Sequence, residues 1–250
     1  MPSISGHSVL IIGGSSGIGF AAATLALEAG ARVAIASSNP TRIADAVKRL
    51  KASFPNGQIS GHECDLSLDN IESRLESLFK EVTADGNVLD HVIYTAGRAP
   101  EVKPIHETDI ESVIKASQLG PVAAFATAKV AQRFLKKSYT SSLTFTGGRV
   151  AEKPMPNYSV YSGFAAGLIG MTRGLALDMA PIRVNAVSPG ATLTEMWGPN
   201  REQIAEFMVK TALLGKVGMA EEVGEAYVYL MKNSNATGSY VCTNGGDILK

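Results

Sequence analysis

Between an apolar run at 8–12 and a helical pattern at 18–28 stands Gly13-Gly14-Ser15-Ser16-Gly17-Ile18-Gly19. A turn this poor in Cβ atoms lets the backbone close tightly and approach a pyrophosphate. The helix that follows offers free N–H groups and the positive end of its dipole. A glycine cluster alone leaves an ordinary strand-to-helix turn open as the alternative. A strand, a phosphate-type turn and a helix at the start of a chain require further strands to build a sheet around them.

The rest of the chain alternates accordingly. A second apolar run covers 32–36, then a polar turn at 37–41 and an amphipathic helix to about residue 52. Residues 58–65 predict a third strand, and 68–83 a helix with Ile71, Leu75, Leu78 and Phe79 at helical spacing. A fourth strand falls at 88–95, and two helical patterns span roughly 107–118 and 121–137. Strands at 142–145 and 183–187 flank a helix at 161–179. A late helix at 221–231 precedes a last strand at 239–242. Near-continuous apolar strands between helices imply a parallel sheet covered on both faces. No repeat or Pro/Gly-rich linker divides the 250 residues, a length that suits one domain. The expectation is an α/β, doubly wound single domain over 1–250 with a parallel, roughly seven-stranded sheet.

Hydrophobic residues make up 45% and charged residues 18%, which fits a compact chain rather than a disordered one. The formal net charge is zero, so bulk electrostatics favour neither nucleic acid nor anionic membrane. No apolar run approaches the ~20 residues of a spanning helix. The N-terminus lacks a basic stretch leading into an apolar one, so a cytoplasmic location is expected. Cys64 and Cys242 are read as reduced core thiols. His91 and His106 have no spacing partners, and no metal site is expected.

Further motifs follow in order: Asp65-Leu66 after the third strand, Ala96-Gly97 after the fourth, and Tyr158–Gly190 with its Tyr161 helix and Val-Ser-Pro-Gly. Thr192 and Thr194 come next, then Thr237-Gly238 and Asn244-Gly245-Gly246. Together with Gly13, Ser15, Ser16, Gly17, Ile18 and Gly19 these resemble the short-chain dehydrogenase/reductase family over almost the whole chain. That resemblance implies a Rossmann domain, with a cofactor half at about 1–145 and an active-site and substrate half at about 146–250. It implies that Asp65 and Leu66 meet the adenine, and that Pro189, Gly190, Thr192 and Thr194 hold the carboxamide and pyrophosphate. Family members usually form dimers or tetramers, so a homodimer or homotetramer through 121–136 and 161–179 is expected.

Enzymes selecting NAD place an acid at the end of the second strand, where it accepts from the ribose 2′-OH and repels a 2′-phosphate. Here that position is Ser37, followed by Ser38 and Asn39, with Arg42 nearby. NADP(H) is favoured over NAD(H); the alternative is that these residues only cap the next helix through Thr41.

In the family a tyrosine protonates the substrate oxygen, a lysine lowers the tyrosine pKa, a serine orients the carbonyl and an asparagine holds a water relay. The corresponding positions are Tyr161, Ala165, Gly148 and Ser117, so only the tyrosine is present. Thr146 either supplies a hydroxyl or caps the strand end. Tyr158, one helical turn before Tyr161, shares its cleft or lines the substrate mouth. Lys153 and Arg149 are read as solvated loop residues. Trp197 either contacts substrate or anchors the loop that carries it. Residues 195–212 carry no pattern that defines a ligand.

A similar divergent branch occurs in fungal natural-product pathways, as reductases of imines and as cyclases. Ketone reduction leaves an alkoxide that needs a proton, whereas an iminium ion accepts hydride to give a neutral amine. NADPH-dependent reduction of an imine, iminium or activated C=C or C=O of a secondary-metabolism intermediate is the leading expectation. A non-redox cyclase or isomerase, and a non-catalytic NADP-binding protein, stand as alternatives.

Overall fold

The computed structural model describes residues 2–250. The first half runs β1 (Ser8–Ile12), α1 (Gly17–Glu28), β2 (Arg32–Ser37), α2 (Pro40–Ser53), β3 (Ile59–Glu63) and α3 (Ile71–Val82). It continues with β4 (His91–Tyr94), α4 (Ile110–Ser117), α5 (Ala123–Ala131) and β5 (Ser142–Thr146). The second half holds α6 (Ser159–Asp178), β6 (Arg183–Pro189), β7 (Thr192–Leu193) and α7 (Arg201–Met208). It closes with β8 (Gly218–Met219), α8 (Ala220–Lys232) and β9 (Tyr240–Thr243).

Seven strands form one sheet in the order β3-β2-β1-β4-β5-β6-β9, every neighbouring pair parallel. Strand alternation divides the apolar residues between two cores. Leu10, Ile12, Val92, Leu143 and Phe145 face Leu75, Phe79, Ala128 and Leu168 of α3, α5 and α6. Val9, Ile11, Ile35 and Ile93 face Ala26, Leu50, Tyr227 and Leu230 of α1, α2 and α8. Full burial of such a side chain contributes about 2 kcal/mol. Strands β4, β5 and β6 also bury the polar residues His91, Ser142, Thr144, Arg183, Asn185 and Ser188. The Arg183 guanidinium donates to the carbonyls of Tyr139, Leu230, Met231 and Ala236. It satisfies the free carbonyls at the end of α8, and burial lowers its pKa to about 10.

The order of strands reverses between β1 and β4, so the crossovers to β2 and to β5 leave on opposite sides and open a crevice at the carboxyl ends. The boundaries depart from the sequence expectation at identifiable places. The helix expected at 68–83 starts at Ile71 because Asn70 is left-handed, at φ 62°. The two patterns at 107–118 and 121–137 are joined by a π-helical turn, Gln118–Val122, where Pro121 offers no N–H to the ladder. The second ends at Ala131, since Phe134 and Lys136 exchange backbone hydrogen bonds with Leu89. The short β7–β8 pair and α7 fall outside the strands and helices expected from sequence.

Candidate active site

A cavity of about 730 Å³ occupies the crevice at the carboxyl ends of β1, β4, β5 and β6. The turn after β1 defines one end. Gly13 has φ +94°, and a Cβ there would stand 2.5 Å from the Ala96 nitrogen and 2.7 Å from the Thr95 carbonyl carbon. Gly19 is pressed against the Gly13 carbonyl and the Thr95 hydroxyl in the same way. This cradle, opening onto the start of α1, fits a dinucleotide pyrophosphate. Ser15 donates from Oγ to Ser37 Oγ at 2.9 Å, joining the turn to the end of β2. Asp65 accepts from the Ser67 N–H at 2.9 Å and the Ser67 hydroxyl at 2.6 Å.

Every residue expected to meet the cofactor lines this cavity except Asn39. Asn39 instead caps α2, its side chain accepting from the Arg42 N–H at 2.9 Å. The cap therefore lies at Asn39, with Pro40 as the first helical residue, and Thr41 is inside the helix. Ser37, Ser38 and Arg42 keep their side of the cavity. Cys64 lines it too, with its thiol pushed up to about 11 by burial; Cys242 is exposed rather than in the core.

The catalytic candidates are placed differently. Thr146 lines the cavity, but its Oγ1 donates to the Tyr94 carbonyl at 2.8 Å and meets the Tyr227 hydroxyl at 2.6 Å. Its single proton is thus given to the backbone, and it is a strand-end tie rather than a free acid. Neither Tyr158 nor Tyr161 is among the cavity-lining residues. The Tyr161 hydroxyl accepts from the Glu101 N–H at 2.8 Å, turning the ring toward the loop after β4. Tyr158 packs against it at 6.3 Å between centroids, and burial raises its pKa. Ser117 donates to the Ile114 carbonyl within its own helix. Tyr94 donates to the Leu119 carbonyl at 2.7 Å and pins the π-helical turn.

Of the two loop cations expected to be solvated, Arg149 is buried and Lys153 is partly exposed. Arg149 is 6% exposed and lines the cavity beside Gly148. Its Nη1 donates to Asp247 Oδ1 at 2.9 Å and its Nη2 approaches Met155 Sδ at 2.8 Å. Lys153 anchors the C-terminal turn through the carbonyls of Asp247 and Lys250. Met155, Glu195, Met196, Trp197 and Met208 complete the far wall. Of these only Trp197 was singled out from sequence; Met155, Glu195, Met196 and Met208 fall in segments with no ligand-defining pattern. Among the described residues no group of three metal-ligating side chains occurs.

A family model for the SDR-like Rossmann domain matches residues 3–250. The chain belongs to the short-chain dehydrogenase/reductase family. This short-chain dehydrogenase/reductase is 46% identical to the short-chain dehydrogenase/reductase ATR9 of Stachybotrys chlorohalonatus over 254 residues, covering 100% of both. It also resembles a solved structure described as the MalC reductase/Diels-Alderase of Malbranchea aurantiaca. There the identity is 37% and the TM-score 0.93, over 98% of this chain and 97% of that one. A Pseudomonas aeruginosa short-chain oxidoreductase described as containing an atypical catalytic center matches at 25% identity and TM-score 0.87, over 96% of each chain. The Rossmann fold of such dehydrogenase/reductases binds nicotinamide dinucleotides, and the family acts on small molecules. Among the described residues no helix is long and apolar enough to cross a membrane.

Proposed function

We propose that this chain is a cytoplasmic, NADPH-dependent oxidoreductase of atypical type. Its substrate is an imine, an iminium ion, or an activated C=C or C=O of a secondary-metabolism intermediate. The observation that carries this reading is a single cavity in which a dinucleotide frame meets a wall with no free hydroxyl donor, its carboxylate Glu195 being held by the Gly17 N–H. Gly148 stands in the serine position, the tyrosine pair faces another loop, and the Thr146 proton is already given to Tyr94.

When bound, the cofactor supplies a hydride. The chain's residues hold and orient. The α1 N-terminus and the Gly13 turn would take the pyrophosphate, and Ser37, Ser38 and Arg42 would take a 2′-phosphate that no carboxylate at the end of β2 repels. Leu119, Met155, Met196, Trp197 and Met208 give the substrate end apolar, adaptable walls that exclude water and position a bulky ligand. General acid catalysis is worth roughly 10²–10⁴-fold, so a ketone suffers from its lack. An iminium ion does not, because its product is a neutral amine.

A second reading is supported by the likeness to a protein described as a reductase/Diels-Alderase: cyclisation in the same pocket, with the cofactor structural. Assembly as a homodimer or homotetramer is supported by exposed Ile110, Ile114 and Phe125 on α4 and α5 and Leu177 on α6.

Following reduced-nicotinamide absorbance with cyclic imines, enones and ketones tests the reading. Turnover is expected with imines and weak or absent with simple ketones. Robust ketone turnover with none for imines would overturn it, and product formed without NADPH loss would support cyclisation.

A further inference from the structure

The positive end of α1 is already met by an anion from this chain. Glu195, 178 residues away in sequence, accepts from the Gly17 N–H through Oε2 at 2.9 Å. The helix brings no acid of its own to its first turn and, among the described residues, its N-cap Ser16 makes no side-chain cap. Thr194 packs on the same glycine: a Cβ at Gly17 would lie 3.3 Å from Thr194 Cβ and 3.6 Å from Glu195 Oε2. The carboxylate thus stands at the position for which the Gly13–Gly19 turn is shaped, and both line the cavity.

Two anions cannot share one N–H donor, and like charges at contact distance repel. Glu195 opens the turn Glu195–Asn200, which carries Trp197 and leads into α7. Met196, Trp197 and Met208 from this same segment wall the substrate end. Movement of the carboxylate therefore moves the substrate wall.

Resting on the nicotinamide-dinucleotide reading above, we propose that Glu195 is an internal anion that holds the pyrophosphate position. Binding of a dinucleotide ejects it and resets the 195–208 segment over the substrate end. Glu195 then sets cofactor affinity and couples cofactor entry to the shape of the substrate pocket.

The chain has one tryptophan, Trp197, two residues from Glu195, so its emission reports the segment directly. Dissociation constants for NADPH are measured on the intact wild type, Glu195→Gln and Glu195→Ala, with Trp197 emission wavelength followed in parallel. Inorganic pyrophosphate, which has no chromophore, serves as a second probe. Removing an anion that competes for a helix N-terminus is expected to tighten NADPH on the order of tenfold in Glu195→Ala, with Glu195→Gln between the two. Both probes shift the wild-type emission, and Glu195→Ala alone already emits near the ligand-bound wavelength. Equal or weaker NADPH binding by both variants would overturn the plug while leaving the cofactor site intact. Absence of NADPH binding by all three proteins would overturn both readings together.

Discussion

Arg149 and Asp247, 98 residues apart, form a buried ion pair at 2.9 Å that ties the exit of β5 to the C-terminal turn. Asp247 is 1% exposed and also lies 3.9 Å from Lys153 Nζ. Removing one member of a buried pair leaves the other desolvated and uncompensated, at a cost of about 3–5 kcal/mol. Arg149→Met is expected to destabilise the protein by about 3 kcal/mol, at the low end because Lys153 remains near. In a chain of this size that lowers Tm by about 6–12 °C. The double variant Arg149→Met/Asp247→Leu recovers most of the loss, and urea unfolding of the three proteins measures it.

His91 gives the stability a sign with pH. It is fully buried on β4, its Nδ1 paired with the Ser142 hydroxyl at 2.8 Å and its Nε2 with His7 Nδ1 at 3.0 Å. Burial first, then the charges of His7 and Arg183, push its pKa well below the ordinary 6.5. The unfolded chain therefore binds a proton that the folded chain refuses. Stability is fully present above about pH 6.5 and falls as pH drops toward the folded value, by up to about 1.4 kcal/mol per pH unit. His91→Phe loses two hydrogen bonds and is less stable at neutral pH, but its unfolding free energy is flatter between about pH 6.5 and about pH 5. Urea titrations across that range compare the slopes.

The elements that sequence located well are those whose periodicity is enforced by burial on one or both faces. β1, β5 and α8 fall within about two residues of their expected bounds, because each must bury its pattern against a neighbour. The tight turn after β1 was legible because Gly13 and Gly19 sit where a Cβ has no room. The catalytic side was not. Whether the Tyr161 hydroxyl enters the cavity depends on a backbone N–H sixty residues away, and Arg149 reads as a loop cation until Asp247 folds back onto it. Long-range pairing of side chains from loops leaves no period in the sequence.

On the proposed NADPH reading, Ser37, Ser38 and Arg42 on the cavity rim would take the 2′-phosphate. Arg42→Ala is expected to weaken NADPH binding by about tenfold and to leave NADH within about twofold, since a charged hydrogen bond to phosphate contributes about 1.5–3 kcal/mol. Ser37→Asp installs the acid that accepts from a ribose 2′-OH and repels a 2′-phosphate, and reverses the order of the two affinities. Fluorescence titration with both reduced cofactors reads the ratio, and tighter NADH binding by the wild type would refute the assignment.

Tyr161→Phe separates a proton donor from a loop anchor. If the hydroxyl's work is to accept the Glu101 N–H, its removal exposes one amide to water on the outer loop and changes stability by less than about 0.5 kcal/mol. Reduction of an iminium substrate should then slow by less than about tenfold, with NADPH affinity unchanged. Loss of a general acid would instead cost roughly 10²–10⁴-fold in turnover and would be felt most by carbonyl substrates. Steady-state kinetics with one iminium and one activated ketone distinguish the two. A drop of about a hundredfold or more on the ketone alone means that Tyr161 leaves Glu101 and turns into the cavity during turnover.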